Sequence, residues 1–146
     1  MTSASPGAPI EVLLIEDNAD DAALSIRALE RAKVHNRVRL AVTGAEALAM
    51  LRREGPYAAE PRPDLVLLDL NLPAKDGRQV LAEIKADAEL RHIPVVVVTE
   101  STAPSDVAET YRLHANAYVT KPIETQEFIE AINSIEQFWL QIVRLP

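Results

Sequence analysis

Leu65-Val66-Leu67-Leu68-Asp69 is the stretch on which the fold turns: four apolar residues in succession, then a carboxylate. A run that is apolar at every position suits a strand buried on both faces. Working outward, similar runs recur at Ile10–Ile15, Val38–Val42, Pro94–Val98 and Ala117–Val119, which makes five strands. The stretches between them carry helical spacing instead. Val80, Leu81, Ile84 and Ala88, for example, fall at i, i+1, i+4 and i+8 with charges on other positions. Strand and helix therefore alternate, which predicts an α/β fold with a parallel sheet and helices on both faces.

Local punctuation divides the chain further. Thr43, followed three residues later by Glu46, reads as a capping box opening the second helix, and Gly55 reads as its end. The segment from Gly55 to Asp64 holds three prolines and is expected as a surface loop. Met1 to Pro9 is small, uncharged and Pro-containing, with neither the basic start nor the apolar stretch of a signal peptide, so residues 1–9 are expected as a disordered tail.

A chain of 146 residues, 48% of them apolar, has room for one domain, expected over residues 10–146. Fifteen Lys and Arg against twenty-two Asp and Glu leave a net charge of −7, which argues against nucleic acid or an anionic membrane as a direct partner. The absence of cysteine removes disulfides, thiolate metal sites and thiol nucleophiles together. The apolar runs are far shorter than the roughly 20 residues that span a bilayer, so a soluble, cytoplasmic protein is expected.

In an open parallel sheet, ligands bind beyond the carboxyl ends of the strands, where strand order reverses. There the sequence places Glu16 and Asp17 after the first strand, Asp69 after the third, Thr99 at the fourth and Lys121 after the fifth. Carboxylates crowded beside a buried sheet are costly, and a divalent cation compensates best; an all-oxygen set suits Mg²⁺. With Mg²⁺ and Lys121 neutralising incoming charge, the Asp69 carboxylate could attack a phosphoryl group and form an acyl phosphate. Each residue also has a plainer reading. Asp17 or Asn18 could cap the first helix, Thr99 could be an ordinary strand residue, and Lys121 a solvated lysine. Their coincidence at successive strand ends favours the chemical reading.

Leu-Leu-Ile-Glu16-Asp17-Asn18, then Asp64-Leu-Val-Leu-Leu-Asp69-Leu-Asn71-Leu-Pro73 with Asp76-Gly77, then Val-Val-Thr99, then Ala-Tyr118-Val-Thr-Lys121-Pro122, together resemble the receiver domain of two-component response regulators over about residues 10 to 137. The resemblance implies a flavodoxin-like, doubly wound, five-stranded parallel sheet of order 2-1-3-4-5 with five helices. It implies Asp69 as the residue phosphorylated by a histidine kinase. Glu16, Asp17, Asp69 and the backbone carbonyl of Asn71 would hold Mg²⁺, and Lys121 would pair with the phosphoryl group. Thr99 and Tyr118 would form a switch in which the tyrosine moves from an outward to an inward position. The peptide before Pro122 would be cis, and Gly77 would fit the turn into the third helix. Glu100, beside the pocket, departs from the small residue many receivers carry. Asn71 and Ser101 occupy positions that tune acyl-phosphate hydrolysis in the family, and neither supplies a carboxylate.

The remaining features read as structure or as contact surface. His35, His92 and His114 share no ligand spacing and are expected in surface or capping roles, while Val107, Tyr111, Phe128, Ile132 and Ile135 are expected to face the core. A fifth helix predicted from Thr125 to Ile142 outruns the sheet. The run Phe138-Trp139-Leu140-Gln141-Ile142-Val143-Arg144-Leu145-Pro146 is apolar on nearly every side. It either folds back over the body or joins two chains into a homodimer through Phe138, Trp139, Ile142 and Val143. This tail and the long loop also resemble the response regulators that partner phytochrome-type kinases. Three other functions fit these residues less well. A Mg²⁺-dependent phosphohydrolase would want an acid two residues beyond its nucleophile, where this chain has Asn71. A constitutive binding module with a vestigial pocket would have no need of Asp69, Thr99 and Lys121. A flavin-binding domain would set a phosphate loop where Glu16 and Asp17 stand. With no DNA-binding segment in the sequence, output is expected through protein contact or phosphotransfer.

Overall fold

A computed structural model of the chain describes residues 9–31, 35–121 and 124–133. Among them the order is β1 (Ile10–Ile15), α1 (Ala19–Arg31), β2 (Asn36–Ala41), α2 (Gly44–Leu51), a 3-10 turn (Gly55–Tyr57), β3 (Leu65–Leu68), α3 (Gly77–Ala86), β4 (Val95–Thr99), α4 (Pro104–Arg112), β5 (Ala117–Thr120) and α5 (Thr125–Asn133). The strands form one parallel sheet of order β2-β1-β3-β4-β5. The N-terminal tail, the Pro122 peptide, Ile135 and the tail with Phe138, Trp139, Ile142 and Val143 lie outside the described residues. No helix among the described residues is long and apolar enough to cross a membrane.

Alternate strand residues feed two separate cores. Leu13, Ile15, Val66, Leu68, Val95 and Val97 pack with α2 and α3, while Val12, Leu14, Leu65, Leu67, Val96 and Val98 pack with α1 and Phe128 of α5. This two-sided burial is why the interior strands are apolar throughout. The edge strand β2 differs. It begins at Asn36 and ends at Ala41, because its register with β1 runs from Ile10↔Asn36 to Ile15↔Ala41, and an edge position admits Arg37 and Arg39. Val42, expected inside the strand, lies exposed past its end. Pro94 also stays out of β4, having no N–H to give to a ladder.

Thr43 Oγ1 accepts from the Glu46 N–H at 3.1 Å, as a capping box requires, but the Glu46 carboxylate reaches back to Val42 N–H at 2.9 Å. Gly55 does not close α2. The left-handed residue there is Arg53 (φ 57°), whose N–H donates to the Met50 carbonyl at 3.2 Å while Glu54 N–H donates to Ala49 at 2.9 Å, a Schellman ending. His114 (φ 72°) ends α4 in the same way. Ala88 lies beyond α3 and is exposed, and Tyr111 is exposed as well. The inward residue of α4 is Thr110, which is fully buried because its hydroxyl returns a 2.8 Å bond to the Val107 carbonyl.

Two arginines pin the loop between α2 and β3. Arg39 donates to Glu60 at 3.0 Å and to the Pro61 carbonyl at 2.6 Å, and Arg62 donates to the Leu51 carbonyl at 3.3 Å and to Glu89 at 2.9 Å. At the amino end of the sheet, Lys85 Nζ donates to the Arg91 and Ile93 carbonyls and to Asn116 Oδ1, at 3.1, 2.8 and 3.0 Å. Burial among these neutral oxygens pushes this ammonium down to about 8 from the ordinary 10.5. The native state therefore loses the proton before the unfolded chain does, and between those values stability rises with pH. The urea midpoint is expected to climb between pH 8 and pH 10 and to stay flatter in Lys85→Gln. Equal slopes for the two proteins would refute the assignment.

Candidate functional site

Register alone brings the acids together. Ile15 and Leu68 are partners on adjacent strands, so Glu16 and Asp69 leave the sheet side by side where strand order reverses between β1 and β3. The Asp69 N–H donates to the Ile15 carbonyl at 3.0 Å, and the Lys121 N–H donates to the Thr99 carbonyl at 2.7 Å. Asn18 Oδ1 accepts from the Asp21 N–H at 2.9 Å and so caps α1, turning its first turn over the same edge. The resulting pocket is lined by Asp17, Asn18, Asp21, Asp69, Asn71, Glu100 and Lys121.

Lys121 sits at its centre. Its Nζ lies 2.7 Å from Glu16 Oε1 and donates to Asp21 Oδ2 at 2.9 Å and Asp69 Oδ2 at 3.2 Å. The other Asp69 oxygen accepts from the Asn71 N–H at 3.0 Å. Glu16 and Asp69 are buried and Asp17 is exposed. One oxygen from each of Glu16, Asp17 and Asp69 lies within 4.8 Å of the others. Burial and the nearby Asp69 charge push the Glu16 carboxyl up to about 7, more than the Lys121 bond offsets. For Lys121, burial acts downward, but the bonds to Asp21 and Glu16 prevail and hold the ammonium above the usual lysine range. A second, divalent cation fits this surplus of negative charge. The donors are all oxygen, and the cluster combines an exposed carboxylate with two buried ones, as an ion that keeps part of its water shell requires.

The other expected residues gather around the loop after β4. Thr99 is buried, and its Oγ1 faces the Ser101 N–H at 3.5 Å. Tyr118 is half-buried against the α2–α3 core, with its hydroxyl donating to the Ser101 carbonyl at 2.7 Å. Ser101 Oγ donates to Asp106 Oδ2 at 2.5 Å, and the other Asp106 oxygen accepts from Arg78 of α3 at 3.2 Å. Glu100 is exposed on the pocket rim. The three histidines stay out of the acid cluster.

One contributor, Asp21, was not singled out in the sequence. Asp21 stands on a helix rather than at a strand end. Its signal was Asn18 as cap, which places the residue three positions on at the same helix end. Ser101 meets Thr99 and Tyr118 through its backbone, which no side-chain pattern reveals.

Residues 12–133 match the family model described as response regulator receiver domain. Response regulator Rcp1 of Synechocystis sp. is 44% identical over 138 residues, 94% of each chain. Among solved structures, the phosphorylated cyanobacterial phytochrome response regulator RcpA shares 47% identity at a TM-score of 0.78, covering 95% of this chain and 99% of its own. The Mn²⁺-bound form of Rcp1 shares 43% at a TM-score of 0.76, covering 94% of this chain and 99% of its own.

Proposed function

Because the chain belongs to the response regulator receiver family, a family of signalling proteins, we propose that it accepts a phosphoryl group on Asp69 from a partner histidine kinase. The observation that carries this reading is the setting of Asp69: a buried carboxylate at the strand reversal, one oxygen fixed by the Asn71 N–H and the other turned to Lys121. In the transfer, an Asp69 oxygen bonds to phosphorus as the bond from phosphorus to the kinase imidazole nitrogen breaks, and that nitrogen takes a proton from solvent. Lys121 offsets charge on the phosphoryl oxygens. Glu16, Asp17, Asp69 and the Asn71 carbonyl would hold Mg²⁺, which when bound adds further neutralisation of the phosphoryl oxygens. Thr99 and Tyr118 act as the switch: both bond Ser101, so a turn of the Thr99 hydroxyl toward the phosphoryl group is felt at the tyrosine.

Output then passes by protein contact or by handing on the phosphoryl group, in the cytoplasm. Likeness to RcpA supports a phytochrome-type kinase as donor. The apolar run Phe138 to Val143 supports a homodimer. Trp139→Ala with Ile142→Ala is expected to shift a sedimentation concentration series to monomer; an unchanged series from folded protein would remove the dimer from the proposal.

Intact mass tests the central claim. Incubated with acetyl phosphate and Mg²⁺, the protein is expected to gain one phosphoryl, about 80 Da, and to gain nothing in EDTA. No adduct with that donor, and none with a phosphorylated histidine kinase, would leave a binding module.

A further inference from the structure

We propose that Asp21 is a positioning residue that competes with the phosphoryl group for the Lys121 ammonium and so sets how readily the pocket accepts it. This rests on the reading of Asp69 as the acceptor. An ammonium has three N–H donors, and Lys121 has three carboxylate partners: Glu16 at 2.7 Å, Asp21 at 2.9 Å and Asp69 at 3.2 Å. Its donors are fully taken, with the longest contact on the acceptor. A phosphoryl group on Asp69 inherits the weakest of these donors, and drawing the ammonium onto its oxygens pulls Nζ away from one of the other two carboxylates.

Burial decides which. The Glu16 side chain is 2% exposed, so water cannot replace its bond from Lys121. That of Asp21 is 26% exposed, on the first turn of α1, and water can replace the lost bond. Asp21 therefore gives way, and its hold on Lys121 opposes phosphoryl binding. Neutralising it loosens that hold, because an amide or hydroxyl oxygen binds an ammonium more weakly than a carboxylate does, and the gain exceeds that from merely lowering local charge.

Beryllofluoride, a non-covalent phosphoryl mimic, reads this as an equilibrium. Its affinity is measured by calorimetry in saturating Mg²⁺ for the wild type, Asp21→Asn and Glu100→Gln. Glu100 also lines the pocket, yet among the described residues it takes no bond from Lys121, so its neutralisation reports charge alone. Asp21→Asn is expected to bind about three- to fivefold tighter than wild type, and Glu100→Gln to gain less. Asp21→Ser, expected to behave as Asp21→Asn does, guards against a folding defect peculiar to one variant. Unchanged or weaker binding by folded Asp21 variants, or an equal gain from Glu100→Gln, would overturn the competition while leaving Asp69 as acceptor. Wild type that neither binds the mimic nor gains mass with acetyl phosphate would overturn both.

Discussion

Asp69→Asn is expected to abolish the phosphoryl adduct and, in the same protein, to raise the melting temperature measured in EDTA. Both effects have one cause. The Asp69 carboxylate is buried at 5% exposure, within 4.8 Å of oxygens from Glu16 and Asp17, so like charges are held together for chemistry rather than for stability. Asparagine keeps the shape, and its oxygen can still accept the 3.0 Å bond from the Asn71 N–H. Lys121 retains Glu16 at 2.7 Å and Asp21 at 2.9 Å. What is lost is the nucleophile, the 3.2 Å bond from Lys121 and one unit of negative charge beside Glu16 and Asp17, and relief of that crowding outweighs the bond. The adduct should fall below detection at every donor concentration, while the melting temperature rises by about 2–5 °C for a domain of this size. Added Mg²⁺ should narrow the difference by stabilising the wild type more. An adduct of wild-type mass on Asp69→Asn would move the acceptor elsewhere, and a lower melting temperature in EDTA would refute the account of the crowded acids.

Where burial dictates residue type, the sequence is legible. β1 and β3 run over the residues expected, because a strand covered on both faces must be apolar throughout. At the edge that constraint lapses, and β2 takes in Asn36 and Arg37 on the strength of its pairing with β1 alone. The same logic divides the site. Glu16, Asp69, Thr99 and Lys121 could be placed from sequence because parallel register carries strand ends to one edge. Asp21 could not, since its position depends on how α1 is capped and tilted. Tyr111 shows the converse error: an aromatic at helical spacing predicts a buried face, but α4 turns Thr110 inward and leaves the ring 47% exposed. Helix periodicity gives a face; packing partners decide whether that face is covered.

Gly77→Ala should couple fold and site most directly. A Cβ at Gly77 would lie 2.4 Å from the Asp69 carbonyl oxygen, 2.5 Å from Leu70 Cα and 2.9 Å from the Leu70 carbonyl oxygen. All three obstacles are backbone, so no side chain can rotate away. Gly77 is also bound there, its N–H donating to the Leu70 carbonyl at 3.0 Å. One methyl must therefore part α3 from the segment that carries the phospho-acceptor. Overpacking of this kind costs about 1–3 kcal/mol, and a backbone contact this short argues for the upper end. Displacing a reacting group by about 1 Å can cost about 100-fold in rate, so phosphorylation by acetyl phosphate should slow by more than about tenfold even in the folded fraction. Gly44→Ala is the comparison. Its Cβ would meet Val80 Cγ2 at 2.7 Å, a side-chain atom that can shift, and the Lys75 carbonyl oxygen at 3.1 Å. That variant should lose less stability and keep its phosphorylation rate, because α2 and α3 can adjust without moving Asp69. Gly77→Ala with the melting point and rate of the wild type would mean that α3 does not hold the acceptor loop in place.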